Sequence, residues 1–426
     1  MKTVFDNKTE AMAALYNDTE AANIRFDSLL HSFSNLHKFA DNAVLFSAPG
    51  RIELCGNHTD HQGGMVLAAA IDKDTVAAAW YNGTDSVRIR SCGQRPFSVD
   101  ICRTMPIYEE KGKSSAMVRG IISYIKSHGG NVCGVDICID SMVPAGSGIS
   151  SSAAFENLIS TVLNTMCNGG RFSPLEIAVM GQYAESEFFG KPCGFMDQTA
   201  SAYGGCLHMN FSGNVPNVLP VNPQSLTERY SIFVVHTGGS HSKLGKNYSH
   251  IVSEMRSVAE FFGADLLCDV DETEFYSCLS AVKESASDRS VLRAMHYFEE
   301  NRRVLNALAA LETGDINVFL DCINESGDSS VLLLQNVYLD YLHDKSLALA
   351  LALTKRFFAL SGCKGACRIH GGGFMGTILA IIPHEFSCEY MQYMQNVLPS
   401  CSLHHVTVRN YGAIPLCITP VKKHAH

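Results

Sequence analysis

The sequence predicts an α+β protein of two domains. β-like and helical runs come in groups instead of strict alternation, and a stretch rich in Gly, Asn and Pro divides the chain near its middle. At 426 residues the chain is also too long for one ordinary core and suits two or three domains. The division falls in or near Gly204 to Gln224, giving an N-terminal domain over 1–210 and a C-terminal domain over 211–426.

The elements follow in order. After an N-terminal helical stretch, Ala43 to Ser47 reads as a short strand ending in a Pro49-Gly50 turn. Met65 to Ile71, Thr75 to Trp80 and Ser86 to Arg90 are further β-like runs. Gly134 to Ser141 alternates Val135, Ile137 and Ile139 against Asp136, Cys138 and Asp140, the pattern of a half-buried strand. From Ser150 the period becomes helical, with Ala153, Ala154, Asn157, Leu158, Thr161 and Val162 on one face. A second helix spans Pro174 to Phe189, with Ser173 as N-cap. Ser231 to His236 opens the second half as a strand. Helical patterns occupy Lys246 to Phe262, Ser290 to Leu311, Asp315 to Ser326 and Leu339 to Ser361, and Gly376 to Ile382 and His405 to Arg409 read as strands.

Composition excludes several classes. The 46% apolar content is that of a globular protein, and 33 Lys and Arg against 42 Asp and Glu give a net charge of -9 with no long run of one sign. Binding to nucleic acid or anionic lipid is therefore not expected. The N-terminal stretch MKTVFDNKTEAMAALYNDTE carries acids among its apolar residues, unlike a secretory signal. No run approaches the ~18 apolar residues of a membrane span. The 16 cysteines are scattered without CxxC spacing, so the expectation is a cytoplasmic, thiol-rich protein without disulfides or structural zinc.

Four stretches carry the chemistry. In VPAGSGISSSAAFENL, Val143 to Leu158, a strand, a glycine-rich turn and a helix follow one another. That order aims backbone N–H groups and a helix N-terminus at one spot, which suits phosphate. An ordinary tight turn with a serine N-cap would read similarly, and the GK[ST] ending of the common P-loop is absent. APGRIELCGNHTDHQGG, Ala48 to Gly64, packs Arg51, Glu53, Asn57, His58, Asp60, His61 and Gln62 between glycines. That density of polar groups suits a polyhydroxylated ligand. His58 and Asp60 could instead pair on a metal, though no further ligands stand at useful spacing. AESEFFGKPCGFMDQTASAYGG, Ala184 to Gly205, sets Asp197 in a loop flanked by Gly and Pro, and Glu185 reads by default as a solvated acid of the preceding helix. RIHGGGFMGTILAII, Arg368 to Ile382, is a second glycine-rich turn running into a strand.

In this order the four stretches resemble the GHMP family of small-molecule kinases, and within it the galactokinases. Galactokinases read roughly GRxNxIGEHTDYxxG, PxGxGLSSSAA, CGxMDQ and a GGGFGG-like turn; here stand GRIELCGNHTDHQGG, PAGSGISSSAA, CGFMDQ and GGGFMGT. The likeness runs from about Ser47 to VTVRNYGA, Val406 to Ala413, and HSKLGKNY keeps the spacing of a His and a Tyr, here His241 and Tyr248.

The resemblance implies a two-domain GHMP kinase fold with the active site in the cleft between domains, and ATP-dependent phosphorylation of the C1 hydroxyl of galactose. It implies ATP over Gly146, Ser147, Gly148, Ser150, Ser151 and Ser152, and Mg²⁺ on Ser151 or Ser150 with Glu185. Asp197 would be the base or orienting group and Arg51 its charge partner. Asn57, His58, Asp60, Gly194 and Tyr248 would hold the sugar, and Gly372 and Gly373 would close the site. Its partners would be a small sugar and ATP, acting on a monomer or homodimer. The chain departs where galactokinases have Asn, Glu and Tyr and it has Glu53, Asn57 and His61. The implied reader of the sugar's sixth position thereby changes from Glu to Asn57, and DHQGG also resembles galacturonate kinases. A galacturonokinase and a non-catalytic sugar sensor are the two alternatives.

Overall fold

The structure is a computed structural model that describes residues 2–420 apart from 37–41, 145, 147, 192, 214, 239–244, 340 and 342. Its first sheet contains β1 (Asn42–Cys55), β2 (Met65–Tyr81), β3 (Ser86–Ser91), β4 (Phe97–Asp100), β5 (Val135–Ser141), β6 (Cys206–Asn210) and β7 (Asn217–Val221). A second sheet contains β8 (Tyr230–His236), β9 (Ala366–His370), β10 (Thr377–Pro383) and β11 (Ser402–Val406), before β12 (Ile414–Pro420) returns to the first. The first sheet runs β12-β1-β2-β5-β3-β4, with β6 and β7 continuing from the other half of β2. The second runs β11-β8-β10-β9 and is antiparallel throughout.

Pro49-Gly50 is not a turn: β1 runs through it, and the register against β2 shifts between Pro49 and Arg51. Proline has no N–H for the ladder, and a bulge accommodates it. Beyond the bulge, the Arg51 N–H donates to the Ile149 carbonyl at 3.2 Å instead of to β2. The runs Met65 to Ile71 and Thr75 to Trp80 likewise fuse into β2, which pairs with β6 at one end and β5 at the other.

Helix Ser151–Asn168 follows the serine loop, and Pro174–Tyr183 starts at the predicted N-cap Ser173, which the structure shows in a capping box with Glu176. The chain then tightens into a π-helical turn over Ala184–Phe189. Asp197 does not lie in a loop; it occupies the first turn of helix Met196–Tyr203. The helix expected from Leu339 starts only at Ser346, where the Asp344 carboxylate accepts the Ser346 N–H at 2.8 Å. Cys133 and Cys167 form a disulfide with Cα atoms 6.0 Å apart, against the expectation of none. Cys133 precedes β5 and Cys167 ends the helix behind it, a proximity hidden by their separation of 34 residues.

Strands β7 and β12 cross the expected boundary at residue 210, since both belong to the first sheet. We propose a division along the two sheets, with β12 assigned to the first. One apolar cluster joins them: Ile52, Leu67 and Ile149 from the first side pack with Val234, Leu379 and Val304 from the second. Buried Asp74 ties the chain ends to the first sheet, accepting from Arg25 at 2.6 Å, Arg409 at 2.9 Å and Tyr16 at 2.5 Å. Among the described residues no helix is long and apolar enough to cross a membrane.

Candidate active site

Arg51, just past the β1 bulge, joins three of the four motifs. Its Nε and Nη2 donate to the two oxygens of Asp197 at 2.7 and 2.8 Å, and Nη1 donates to the Gly148 carbonyl at 2.5 Å. The planar guanidinium fork matches a carboxylate in this bidentate way, which a lysine could not reproduce. Asp197 also accepts from the Ser150 hydroxyl. Burial pushes the Asp197 carboxyl up, but Arg51 beside it, helped by Ser150, holds it below its ordinary 3.8.

Ser150 is the N-cap residue of helix Ser151–Asn168, yet it is left-handed at φ 61° and its side chain makes no cap. Local stability would favour a capping hydroxyl, and here that hydroxyl serves Asp197 instead. The helix N-terminus therefore has no acceptor from its own N-cap side chain, which suits a helix end that receives an anion. Ser151 and Ser152 form its first turn and are half-buried. Gly146 is left-handed at φ 76° with open space where a side chain would stand, whereas a Cβ on Gly148 would strike Thr377. Ser147 lies outside the described residues, as does His241.

The second motif folds over the Asp197 helix. Asp60 stands against Gly194, where any Cβ would collide with its carboxylate. Burial first, then the negative charges of Asp197 and Glu53, push Asp60 up to about 6. His58, at φ 58°, hydrogen-bonds the Gly372 carbonyl through Nε2 at 3.1 Å. Since that carbonyl only accepts, His58 carries its proton on Nε2, and its Nδ1 accepts from His61 Nε2 at 3.3 Å. Burial pushes His58 down to about 4 and His61 down to about 3, so both rings are neutral. With both His58 nitrogens engaged, the reading of His58 and Asp60 as a metal pair loses its ligand. The Tyr248 ring lies 6.5 Å from His58, its hydroxyl donates to the Gly373 carbonyl at 3.2 Å, and a Cβ on Gly372 would strike that ring.

Asn57, expected to read the sugar's sixth position, has its polar side-chain atoms engaged by the protein. Its amide donates to Glu53 at 3.0 Å and to the Gly371 carbonyl at 2.8 Å, and its oxygen accepts from Asn336 at 2.9 Å. Glu53 in turn accepts from fully buried Arg368 at 2.7 Å. The carboxylate in this motif is thus an internal partner of Arg368, and Asn57 is a strut between the motif and the Gly371 turn.

Glu185 is not the solvated acid that an acid on that helix would be by default. The π-helical turn buries it, and it accepts from Lys191 at 2.9 Å and from Gln198 at 3.0 Å. Gln198 donates equally to buried Glu156 at 3.0 Å. Burial, and then the charge of Glu185, raise Glu156 well above the ordinary carboxylate range. Glu156 Oε1 and Gln198 Oε1 have no hydrogen-bond partner. Among the described residues no group of three or more His, Cys, Asp or Glu could hold a metal. Mg²⁺ does not need one, because it binds through one or two carboxylates plus phosphates and water. Glu185 with these orphaned oxygens, one residue along from the Ser150–Asp197 contact, fits that cation.

Sequence reasoning missed the support behind the sugar motif, which comes from helix Asp288–Thr313. Glu300 Oε1 accepts from the Gly56 N–H at 2.9 Å, the Asn57 N–H at 3.3 Å and the Ser326 hydroxyl at 2.5 Å, while Oε2 accepts from Arg303 at 2.5 Å. His296, one turn earlier, meets the Asn57 carbonyl at 2.9 Å. The available signal was Arg293, His296, Glu300 and Arg303 at helical spacing, a polar stripe that is buried.

The comparisons with known proteins agree with this geometry. The family model for the N-terminal domain of GHMP kinases matches residues 116–205, and the galactokinase galactose-binding signature matches residues 33–80. A galactokinase of Glaesserella parasuis serovar 5 (strain SH0165) is 31% identical over 352 residues, covering 82% of this chain and 87% of that one. The chain belongs to the galactokinase family of GHMP kinases. The fold agrees: Lactococcus lactis galactokinase, solved in complex with galactose, superposes with a TM-score of 0.80 at 23% identity, over 92% of this chain and 100% of that one. Methanococcus jannaschii mevalonate kinase superposes with a TM-score of 0.60 at 14% identity, over 86% of this chain and 98% of that one.

Glu300 makes the support testable. Burial would raise its carboxyl, but His296, Arg368 and Arg303 hold it down from its ordinary 4.5 to about 2. A depressed acid contributes stability that is complete above its unfolded value and lost as pH falls through the folded one. Urea unfolding should show Glu300→Gln less stable at pH 7 by about 3 kcal/mol, with the gap closing as pH drops from 4.5 toward 2. A constant gap across that window would show that Glu300 is not held this way.

Proposed function

We propose that this chain is an ATP-dependent galactokinase that phosphorylates the anomeric C1 hydroxyl of galactose to galactose 1-phosphate. The observation that carries the reading is the meeting of Arg51, Asp197 and Ser150 at one uncapped helix N-terminus. A negative acceptor for a hydroxyl and a receptor for phosphate thereby stand side by side.

ATP is positioned with its phosphates over Gly146 to Ser152. Asp197 accepts a hydrogen bond from the C1 hydroxyl and aims its oxygen at the γ-phosphorus. The new bond joins that oxygen to phosphorus, the bond to the β,γ-bridging oxygen breaks, and ADP leaves. Because Arg51 holds Asp197 ionised, the carboxylate is a weak base, and its main contribution is orientation. That is sufficient for a loose phosphoryl-transfer transition state, which needs positioning and charge neutralisation more than early proton removal. The hydroxyl proton passes to Asp197 as the bond forms, when its oxygen becomes acidic. Arg51 offsets charge beside it. Asp60 over Gly194, with Tyr248, holds the ring hydroxyls, and His58, its ring nitrogens engaged by Gly372 and His61, holds the Gly372 turn against them. Ser151 or Ser150 with Glu185 would hold Mg²⁺, which when bound neutralises phosphate charge.

The surroundings of Asn57 support a neutral hexose over a uronate. A C6 carboxylate is favoured by a free cation, and among the described residues around Asn57, Arg368 is fully buried against Glu53 while burial keeps His58 and His61 neutral. The intact Ser150–Asp197–Arg51 set supports an enzyme over a silent sensor.

Two measurements test this reading. Asp197→Asn should keep its circular dichroism spectrum and lose at least ~10²-fold in kcat; near wild-type turnover contradicts the assignment. Parallel kcat/KM values should favour galactose over galacturonate by at least about a hundredfold, and the reverse preference would assign the other substrate.

A further inference from the structure

The reading of Glu185 as a metal ligand leaves Lys191 unexplained. Lys191 follows the π-helical turn, and its backbone N–H donates to the carbonyl of Glu185 itself at 3.1 Å. That short tether folds its side chain back, so that Nζ lies 2.9 Å from Glu185 Oε1. The two partners differ sharply in burial: the Glu185 side chain is 3% exposed and that of Lys191 is 58% exposed.

Both oxygens of Glu185 therefore have protein donors, Lys191 on Oε1 and Gln198 on Oε2. A divalent cation reaching this carboxylate must meet one of them. Gln198 is fully buried and its Nε2 is shared with Glu156 at 3.0 Å, so its movement would strand two carboxyl groups. Lys191 has a flexible stem and solvent access, and its positive charge repels an arriving cation, which Gln198 does not. We propose that Lys191 is the resident counter-ion of Glu185, occupying the cation position until metal enters, and that it sets the metal affinity of the site by competing for Oε1. Lys191 is thus a positioning residue: it keeps a buried carboxylate paired and aimed in the metal-free protein, and it swings into solvent when metal binds.

The proposal rests on Glu185 as the metal ligand, and its test separates the two claims. Mn²⁺ is titrated into wild-type protein, Lys191→Met, Lys191→Arg and Glu185→Gln, each with saturating non-hydrolysable ATP analogue, and free Mn²⁺ is read by electron paramagnetic resonance. Lys191→Met should bind Mn²⁺ roughly fivefold more tightly, the factor expected from removing a half-exposed ion pair, and Lys191→Arg should return to the wild-type value. Equal or weaker Mn²⁺ binding in Lys191→Met, with binding lost in Glu185→Gln, overturns the role of Lys191 alone. Unchanged Mn²⁺ binding in Glu185→Gln overturns the ligand assignment and the proposal with it.

Discussion

The two parallel hydrogen bonds between Arg51 and Asp197 are the contact on which the rest of the site depends. They connect β1 to helix Met196–Tyr203, and the third arm of the same guanidinium reaches the backbone of the serine loop at Gly148. One side chain thereby fixes the distance between the helix end proposed to receive phosphate and the carboxylate proposed to accept from the sugar hydroxyl. The unusual local features nearby follow from that requirement. The bulge at Pro49 turns the Arg51 N–H toward Ile149, Gly148 lacks the Cβ that would push Thr377 away, and Ser150 gives up helix capping to reach Asp197. Each weakens an ordinary local preference, as functional sites do when surrounding structure holds them.

The second half of the chain holds the sugar motif from behind. Glu300 and His296 grip the backbone at Gly56 and Asn57, and Asn336 and the Gly371 carbonyl saturate the Asn57 side chain. Arg368 engages Glu53 beneath them. These contacts span the two sheets, so the sugar motif depends on both halves although its residues are consecutive in one. They also explain how Glu53 and Asn57 coexist with a neutral-sugar site. The buried negative charge lies against an arginine, and the amide beside it has each of its polar atoms bonded.

Much of this was legible in the sequence, and the gaps have physical causes. Arg51, Ser150, Asp60, Gly194 and Asp197 could be singled out because each lies in a short motif that resembles the GHMP family's, and the structure brings them together. The strand before the serine loop and the capped helix from Pro174 followed from alternation and from Ser173 as N-cap ahead of Pro174. The burial of Glu185 could not be read from its place on a helix, whose acids are by default solvated, because a π-helical turn rotates it inward; only the family resemblance pointed to it. Pro49-Gly50 misled because those residues favour turns unless a bulge takes them into a strand. Glu300, Arg368 and Asn336 were invisible because their partners in the sugar motif lie hundreds of positions away, a pairing that no local pattern encodes. The disulfide between Cys133 and Cys167 was hidden for the same reason on a shorter scale.

At the centre of this account, Arg51 keeps Asp197 ionised, so that the carboxylate orients the sugar and takes the proton only as transfer proceeds. The most direct test is a titration of the Asp197 carboxyl carbon by NMR in ¹³C-aspartate-labelled protein, with its resonance assigned from Asp197→Asn. The account predicts that this carbon titrates with a midpoint below the ordinary 3.8, with no step in the neutral range. A midpoint between about 6 and 7, the range of a tuned general base, would contradict it.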